Sequence, residues 1–234
     1  PELHDRFRRS AAGAPSHADV LRGIEILRRH GVEFNILVLV SAANVRQGRE
    51  VYRYLRDLGF LHHQYIPCVE FDAAGRLRPW ALSGPDWGDF LCTIYDEWRI
   101  ADTRRVSVRL FDSLLSLLVD SERNVCTLGS DCRQYLVVEH NGDVYPCDFF
   151  VEAPLRLGNV RTDSWDRLRA STTYAEFGRQ KAGCHERCTA CEHLDLCAGD
   201  CLKHRPQVAA ALSVLCEGWR RFYGHALPGL RELG

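Results

Sequence analysis

Apolar and polar positions near the start of the chain follow a helical pattern. Val20, Ile24 and Leu27 recur at helical spacing behind the segment 16–19, which reads Ser-His-Ala-Asp. This segment resembles a capping box, in which Asp19 returns to the backbone amide of the cap residue. The pattern predicts an amphipathic helix that begins after position 16.

The next segments alternate between strand and helix. Residues 34–40 (FNILVLV) form an apolar run of buried-strand length, residues 45–58 are helical, and residues 65–69 are a second candidate strand. Strand, helix and strand in this order predict a βαβ unit and a parallel sheet. Two strands cannot bury such a sheet, so we expect further strands upstream of residue 1 or from a partner.

Two more helices are predicted at residues 86–98 and 111–119, the first with a box-like start at Ser83. The pattern then changes. Residues 134–139 and 143–145 alternate on either side of Asn-Gly, which predicts a β-hairpin with a type I′ turn.

A short helix at 164–170 and a C-terminal helix through Trp219 and Phe222 are expected around a cysteine-dense stretch. The change of pattern divides the chain into a first domain of residues 1–122 and a second of residues 123–234. The expected fold class is α/β in the first domain, followed by a small cysteine-rich domain with a hairpin.

Composition narrows the class of protein. The 234 residues are 46% hydrophobic and 26% charged with a net charge of −1, which does not support a basic surface for nucleic acid or anionic lipid. No apolar run reaches the ~20 residues of a membrane span, and the N-terminus is not a signal peptide, so we expect a cytoplasmic protein. The chain has no methionine, so we expect that residue 1 is not the natural start.

The chain has 11 cysteines, and their spacing is the strongest chemical signal in it. Two groups stand out, Cys126-x5-Cys132-x14-Cys147 and Cys188-x2-Cys191-x5-Cys197-x3-Cys201, with Cys216 further on. Small secreted domains use such density for disulfides, but a reducing compartment favours metal. Four thiolates can hold zinc or an iron–sulfur cluster, and the spacing alone does not separate these two.

Three cysteines lie outside these groups or suggest another assignment. Cys184, Cys188 and Cys191 have the x3, x2 spacing of the loop that holds the cluster of radical S-adenosylmethionine (SAM) enzymes, but they lie after the sheet elements and are followed by further ligands. We therefore interpret Cys184 as a spare thiol beside a four-cysteine site. Cys68 and Cys92 lie in apolar surroundings and are expected to be core residues.

The complete cysteine pattern resembles the SPASM extension of radical SAM enzymes that modify peptides. Tyr145-Pro146-Cys147-Asp148-Phe149, Leu157-Gly158-Asn159 and Pro67-Cys68-Val69-Glu70 narrow the resemblance to the anaerobic sulfatase-maturating enzymes. The resemblance covers nearly the whole chain. It lacks the front half of such an enzyme, including the Cys-x3-Cys-x2-Cys segment that holds the SAM-cleaving cluster.

The resemblance implies the last part of a partial (β/α)6 barrel, followed by a domain with two auxiliary [4Fe–4S] clusters. It also implies that the ligands interleave. The implied ligands are Cys126, Cys132, Cys147 and Cys201 for the first cluster, and Cys188, Cys191, Cys197 and Cys216 for the second. SAM and a third [4Fe–4S] cluster would belong to the complete enzyme.

The family reaction oxidises a cysteine or serine of a sulfatase to 3-oxoalanine (formylglycine). By the resemblance, Asp148 is the general base, since it follows the ligand Cys147 directly and a carboxylate can take a proton when burial raises its pKa. Arg8 matches an arginine that contacts SAM, and Val69 matches a position that lines the SAM adenine. The residues alone allow plainer roles: a loop aspartate, a solvated charge and a core valine.

The implied partners are a sulfatase polypeptide in an unfolded state and a reductant protein, with no nucleic acid and no membrane. Two alternatives stay open from the residues. One is a SPASM maturase of another peptide, and the other is a stand-alone electron-transfer or metal-stabilised binding module. His4, His62 and His63 carry no usable motif, and the last two alternate faces on a strand.

Overall fold

The computed structural model describes residues 1–206 and 211–234. Within these ranges the helices are α1 (Glu2–Phe7), α2 (His17–Arg29), α3 (Gly48–Asp57), α4 (Gly84–Ala101), α5 (Arg109–Asp120), α6 (Trp165–Arg169), α7 (Thr172–Gln180), α8 (Glu186–Thr189), α9 (Leu194–Cys197) and α10 (Cys216–Leu233). The strands are β1 (Ile36–Val40), β2 (His62–Pro67), β3 (Ser107–Val108), β4 (Val137–Val138), β5 (Asp143–Tyr145) and β6 (Gly158–Asn159). Short 3-10 turns cover Val45–Gln47, Cys126–Leu128, Ala153–Leu155 and Leu202–His204.

The first half contains a three-stranded parallel sheet in the order β1-β2-β3. Val40 pairs with Pro67 and His63 pairs with Val108, and α3 connects β1 to β2 as the predicted βαβ unit requires. The sequence did not predict the third strand, because two residues are too few to show an alternation of apolar and polar side chains. The prediction that the first strand is buried is correct for Val40, which is fully buried, and wrong for Leu37 and Leu39, which are exposed.

The start of α2 differs from the predicted capping box. The Ser16 hydroxyl donates to the carbonyl oxygen of Arg8, and Asp19 pairs with Arg22. The amides of Ser16 and His17 instead donate to the Asp5 carboxylate, at 2.9 and 2.8 Å. A carboxylate from α1 therefore caps this helix, and no local pattern around residue 16 reveals it.

The larger of two hydrophobic cores in the described residues spans both halves of the chain. It contains Trp87 and Phe90 from α4, Phe111 from α5, and Trp219 and Phe222 from α10. The helix α4 begins as predicted, because the Ser83 hydroxyl accepts from the amide of Asp86 and donates to its carboxylate. The C-terminal helix packs mainly on α4, so the cysteine-rich region is anchored to the parallel-sheet region.

The predicted hairpin is present, with a different turn. β4 and β5 pair antiparallel, and β6 adds a third strand that the sequence analysis missed. Gly142 has a φ of +89° and its amide donates to the carbonyl oxygen of Glu139 at 2.8 Å, whereas Asn141 has no positive φ. A type I′ turn needs two positive φ angles, so this is a type I turn followed by a left-handed glycine.

Candidate metal centres

All eleven cysteines of the chain are free thiols and partly buried, with no disulfide among them. Four of them meet where the turn Cys126–Leu128, the end of β5 and the Cys201 segment converge. Burial raises the pKa of Cys132, of Cys147 (to about 12) and of Cys201, and the neighbouring Cys126 adds to each of these shifts. We call Cys126, Cys132, Cys147 and Cys201 the first group.

A second set of cysteines surrounds a cavity of about 300 Å³. Cys188 lies in α8, Cys197 ends α9 and Cys216 begins α10. Burial raises the pKa of Cys197, and the nearby thiols of Cys216, Cys188 and Cys191 add to the shift. We call Cys188, Cys191, Cys197 and Cys216 the second group; all four line the cavity.

The chain reverses sharply between Cys197 and Cys201, which belong to different groups. The three residues between them, Ala198, Gly199 and Asp200, all have positive φ angles of 47°, 73° and 64°. Two of them carry side chains, for which this conformation is unfavourable. The turn explains why two cysteines only four positions apart point to separate sites.

A buried arginine holds this turn in place. The Arg205 guanidinium donates to the carbonyl oxygens of Gly199 at 3.0 Å, Gly183 at 2.9 Å, Lys181 at 3.1 Å and Asp200 at 3.3 Å. It therefore connects the turn to the segment before α8. The fixed planar donor set of arginine suits this clamp.

A buried polar pair lies beside the same turn. The Asp200 carboxylate is 2.9 Å from Nδ1 of His204 and accepts from the Ser213 hydroxyl at 2.6 Å. Desolvation opposes its ionisation, but the charge of His204 and these hydrogen bonds hold the Asp200 pKa below its usual range. The pair fixes the Cys201 segment against the residues that precede Cys216.

Two of the three remaining cysteines lie where the sequence analysis expects them. Cys184 lies near the second group, where its charge would raise the pKa of Cys188 after the larger effect of burial. Burial raises the pKa of Cys68, and that of Cys92 to about 11, so both thiols are poorly ionised. Cys92 packs against the main core, as expected, whereas Cys68 is partly buried outside it.

The two groups can be compared with the ligand arrangements of a single ion and of a cluster. Among residues 1–206 and 211–234, no three His, Cys, Asp or Glu side chains are close enough to hold one metal ion. Zinc would need its sulfur ligands at about 2.3 Å from one point. A four-iron cluster is several ångströms wide and takes one thiolate at each iron, and the cavity of about 300 Å³ lined by the second group offers room for it.

Asp148 lies at the edge of the first group. Its Oδ1 is 3.5 Å from Sγ of Cys147. Burial is the largest cause of the raised pKa of Cys126 and of Cys147, and the charge of Asp148 raises both pKa values further. The Asp148 side chain is exposed in the structure. The burial that would favour a base must therefore come from whatever covers this edge.

The two residues expected to contact SAM lie in different environments. Arg8 is exposed at the end of α1. Val69 is 3% exposed and lies just beyond the carboxyl end of β2, within the main core. His62 is exposed and His63 is buried, as expected for neighbours on a strand.

The sequence analysis did not single out the buried polar residues around the two groups. Lys181, Asp200, His204 and Arg205 are all buried, and none belongs to a recognisable motif. Only one signal was available: Lys181 and Lys203 are the only two lysines among 30 basic residues. Within the described part of the chain, no helix is long and apolar enough to cross a membrane.

Comparison with known proteins identifies the class of this metal centre. Residues 126–192 match the SPASM family, described as an iron–sulfur cluster-binding domain. The matched range contains Cys126, Cys132, Cys147, Cys188 and Cys191, whereas Cys197, Cys201 and Cys216 follow it.

The similarity extends over nearly the whole chain. It is 32% identical over 97% of its length to the serine-type anaerobic sulfatase-maturating enzyme of Bacteroides thetaiotaomicron, and 30% identical over 98% to the cysteine-type enzyme of Clostridium perfringens. A solved structure described as native anSMEcpe with bound AdoMet and Kp18Cys peptide covers 99% of this chain with a TM-score of 0.89 at 30% identity. The chain spans about 60% of the length of the curated relatives and 66% of that structure.

These findings identify the chain as a homologue of the anaerobic sulfatase-maturating enzymes that carries a SPASM domain. The predicted fold class is confirmed, since the parallel-sheet region and the cysteine-rich region superpose on one such enzyme.

Proposed function

We propose that this chain forms part of a radical SAM enzyme that oxidises a cysteine or serine of a sulfatase to formylglycine. Its contribution is two auxiliary [4Fe–4S] clusters, a proton acceptor and part of the SAM site. The observation that carries the proposal is the presence of eight free thiols in the SPASM-like spacing, with Cys197 and Cys201 on either side of a turn whose three residues all have positive φ angles. The similarity to both serine-type and cysteine-type enzymes supports the same activity class.

We assign the first group to one cluster and the second group to the other. With a cysteine at every iron, neither cluster has an open position, so both would carry electrons rather than bind substrate. Cys197 and Cys201 would serve different clusters although only the turn 198–200 separates them. This short connection gives an electron a direct path from the first site to the second.

Asp148 would accept the proton that the substrate thiol or hydroxyl must lose. A bound cluster and SAM would supply the radical that removes hydrogen from the substrate Cβ and the acceptor for the remaining electron. The Asp148 carboxylate is exposed beside Cys147, so a peptide laid on this edge would meet it directly and cover it. Exclusion of water by the peptide would then strengthen the carboxylate as a proton acceptor.

Arg8 and Val69 would contact SAM. Arg8 offers a charge-assisted hydrogen bond to the SAM carboxylate. Val69 lies at the carboxyl end of a parallel strand, the end at which barrel enzymes place their sites, and would provide an apolar contact for adenine. Two solved neighbours are described with bound AdoMet, which supports a SAM site in the complete protein.

The substrate would be a sulfatase polypeptide, presented in an extended, unfolded form, and a reductant protein would supply electrons. Two neighbouring structures contain bound peptides. We place the reaction in the cytoplasm, where free thiols and iron–sulfur clusters persist.

The whole protein that contains this chain can be tested with SAM, a reductant and peptides that carry a sulfatase cysteine or serine. We expect an aldehyde at that residue, detected by mass spectrometry, together with 5′-deoxyadenosine. Cleavage of SAM without any aldehyde would contradict the sulfatase assignment and favour a maturase of another peptide. A protein without iron that nevertheless folds would contradict the cluster assignment.

A further inference from the structure

Two buried cations near the cysteine groups have no carboxylate partner in the described ranges. Lys181 is 1% exposed and Arg205 is 6% exposed. Every hydrogen bond that the structure gives to either side chain goes to a main-chain carbonyl oxygen. Buried charges are normally paired with an opposite charge, because leaving water is costly for an isolated ion.

Lys181 is directed at the first group. Its Nζ donates to the carbonyl oxygens of Cys126 at 2.5 Å and Thr127 at 3.0 Å, which leaves one of its three N–H bonds free. Arg205 lies between the two groups, since it holds the turn 198–200 that connects them.

The two cysteine groups therefore differ in their electrostatic surroundings. Apart from Arg205, which lies between the two groups, the cations that line the cavity of the second group are Arg187 and Arg220, which are exposed and screened by water. Lys181 is desolvated and lies only beside the first group. In a low-dielectric interior its charge acts more strongly on a neighbouring anion than the exposed arginines can.

We propose that Lys181 is the counter-cation of the first cluster and makes that cluster the easier of the two to reduce. The inference rests on the proposed cluster ligation. A [4Fe–4S] cluster with four thiolates is an anion, and reduction adds one more negative charge. A buried ammonium beside it stabilises the reduced form, and net charge is one of the factors that set cluster potentials. Lys181 would thus help the cluster nearest to Asp148 accept the substrate electron.

Lysine rather than arginine suits this position. The chain uses arginine for 28 of its 30 basic residues, with lysine only at 181 and 203. A compact ammonium can donate to two neighbouring carbonyl oxygens of one tight turn and still present a concentrated point charge.

The test uses the 234-residue chain reconstituted with iron and sulfide. Mössbauer spectra first establish how many clusters it holds, and EPR-monitored titration then gives the midpoint potential of each. Lys181→Gln keeps N–H donors but removes the charge, whereas Lys181→Arg keeps the charge. Lys203→Gln is the matched control, since Lys203 lies at the surface, paired with Glu70 at 3.1 Å.

We expect Lys181→Gln to make one of the two potentials more negative and leave the other in place. Lys181→Arg should restore most of the shift, and Lys203→Gln should cause a smaller one. If Lys181→Gln loses the first cluster altogether while Lys181→Arg retains it, the requirement for charge is likewise supported.

Two intact clusters with unchanged potentials in Lys181→Gln would overturn this inference alone. So would an equal shift of both potentials, or loss of the first cluster in both Lys181 variants, which would assign the side chain a packing role. A wild-type chain with fewer than two clusters would overturn the proposed ligation as well.

Discussion

Gly218 of α10 lies so close to Gly84 of α4 that a Cβ atom on Gly218 would be 2.1 Å from the Gly84 carbonyl oxygen. The amide nitrogen of Gly88, also in α4, would lie 2.8 Å from the same Cβ atom on Gly218. Only glycine allows the two helices to approach this closely. Because Cys216 begins α10 two residues earlier, this contact also fixes one ligand of the second group.

Gly218→Ala should force the two helices apart. The clash is with main-chain atoms, which cannot rotate away, so we expect a loss of about 1–3 kcal/mol in the free energy of unfolding. Gly224→Ala is the matched control on the same helix, because nothing lies within 4 Å of its Cβ position. It should raise stability by up to about 1 kcal/mol. Urea unfolding of both variants measures the difference; equal effects would show that the close contact does not constrain the fold.

Asp148→Asn in the complete enzyme should keep the iron content and SAM cleavage but lose most peptide oxidation. The amide cannot accept the substrate proton, although it is almost the same size. Asp166→Asn, at an exposed position of α6, is the control and should oxidise peptide normally. Aldehyde formation per 5′-deoxyadenosine produced is the measurement. Normal coupling in Asp148→Asn would remove this residue from the base role.

His63 should make stability depend on pH. Its Nε2 donates to the carbonyl oxygen of Phe60 at 2.8 Å, and burial lowers its pKa, more than the Phe60 contact raises it. The unfolded chain has the ordinary histidine pKa of 6.5, and the folded chain has a lower one. Between these two pKa values the unfolded chain binds more protons than the folded chain, so the free energy of unfolding falls as the pH drops from 6.5.

Replacement of His63 by Gln should flatten this dependence, by at most about 1.4 kcal/mol per pH unit. Urea unfolding between about pH 7.5 and pH 5 gives the slope. His62→Gln, at the exposed neighbouring position, should retain the wild-type slope. A His63→Gln slope equal to wild type would show that other groups control the acid limb.

The elements that sequence could predict are those with local signals. The Ser83 box, the helix-ending Gly59 with its φ of +72°, and the Asn-Gly hairpin all depend on residues within a few positions. The errors occur where a distant residue provides the interaction. Asp5 caps α2 across 11 and 12 positions, and β3 exists only because β2 lies beside it.

The same distinction applies to the site. Cysteine spacing is visible in the sequence because the ligands themselves carry it. The residues that support the cysteines cannot be found in this way. Lys181 bonds to Cys126 across 55 positions, and Arg205 bonds to Gly183 across 22. No periodicity or propensity indicates such contacts. The left-handed turn at 198–200 has one local signal, Gly199, but Ala198 and Asp200 depend on the surrounding clamp.

Double cysteine variants show how the eight cysteines divide between the two proposed clusters. Iron per reconstituted chain should be about eight for wild type, as for Cys184→Ala, and about four for Cys201→Ala. Cys126→Ala with Cys201→Ala removes two ligands of one cluster and should also leave about four. Cys197→Ala with Cys201→Ala removes one ligand from each cluster and should leave almost none. If this last pair instead retained a complete cluster, Cys197 and Cys201 would share one site and the crosswise assignment would be wrong.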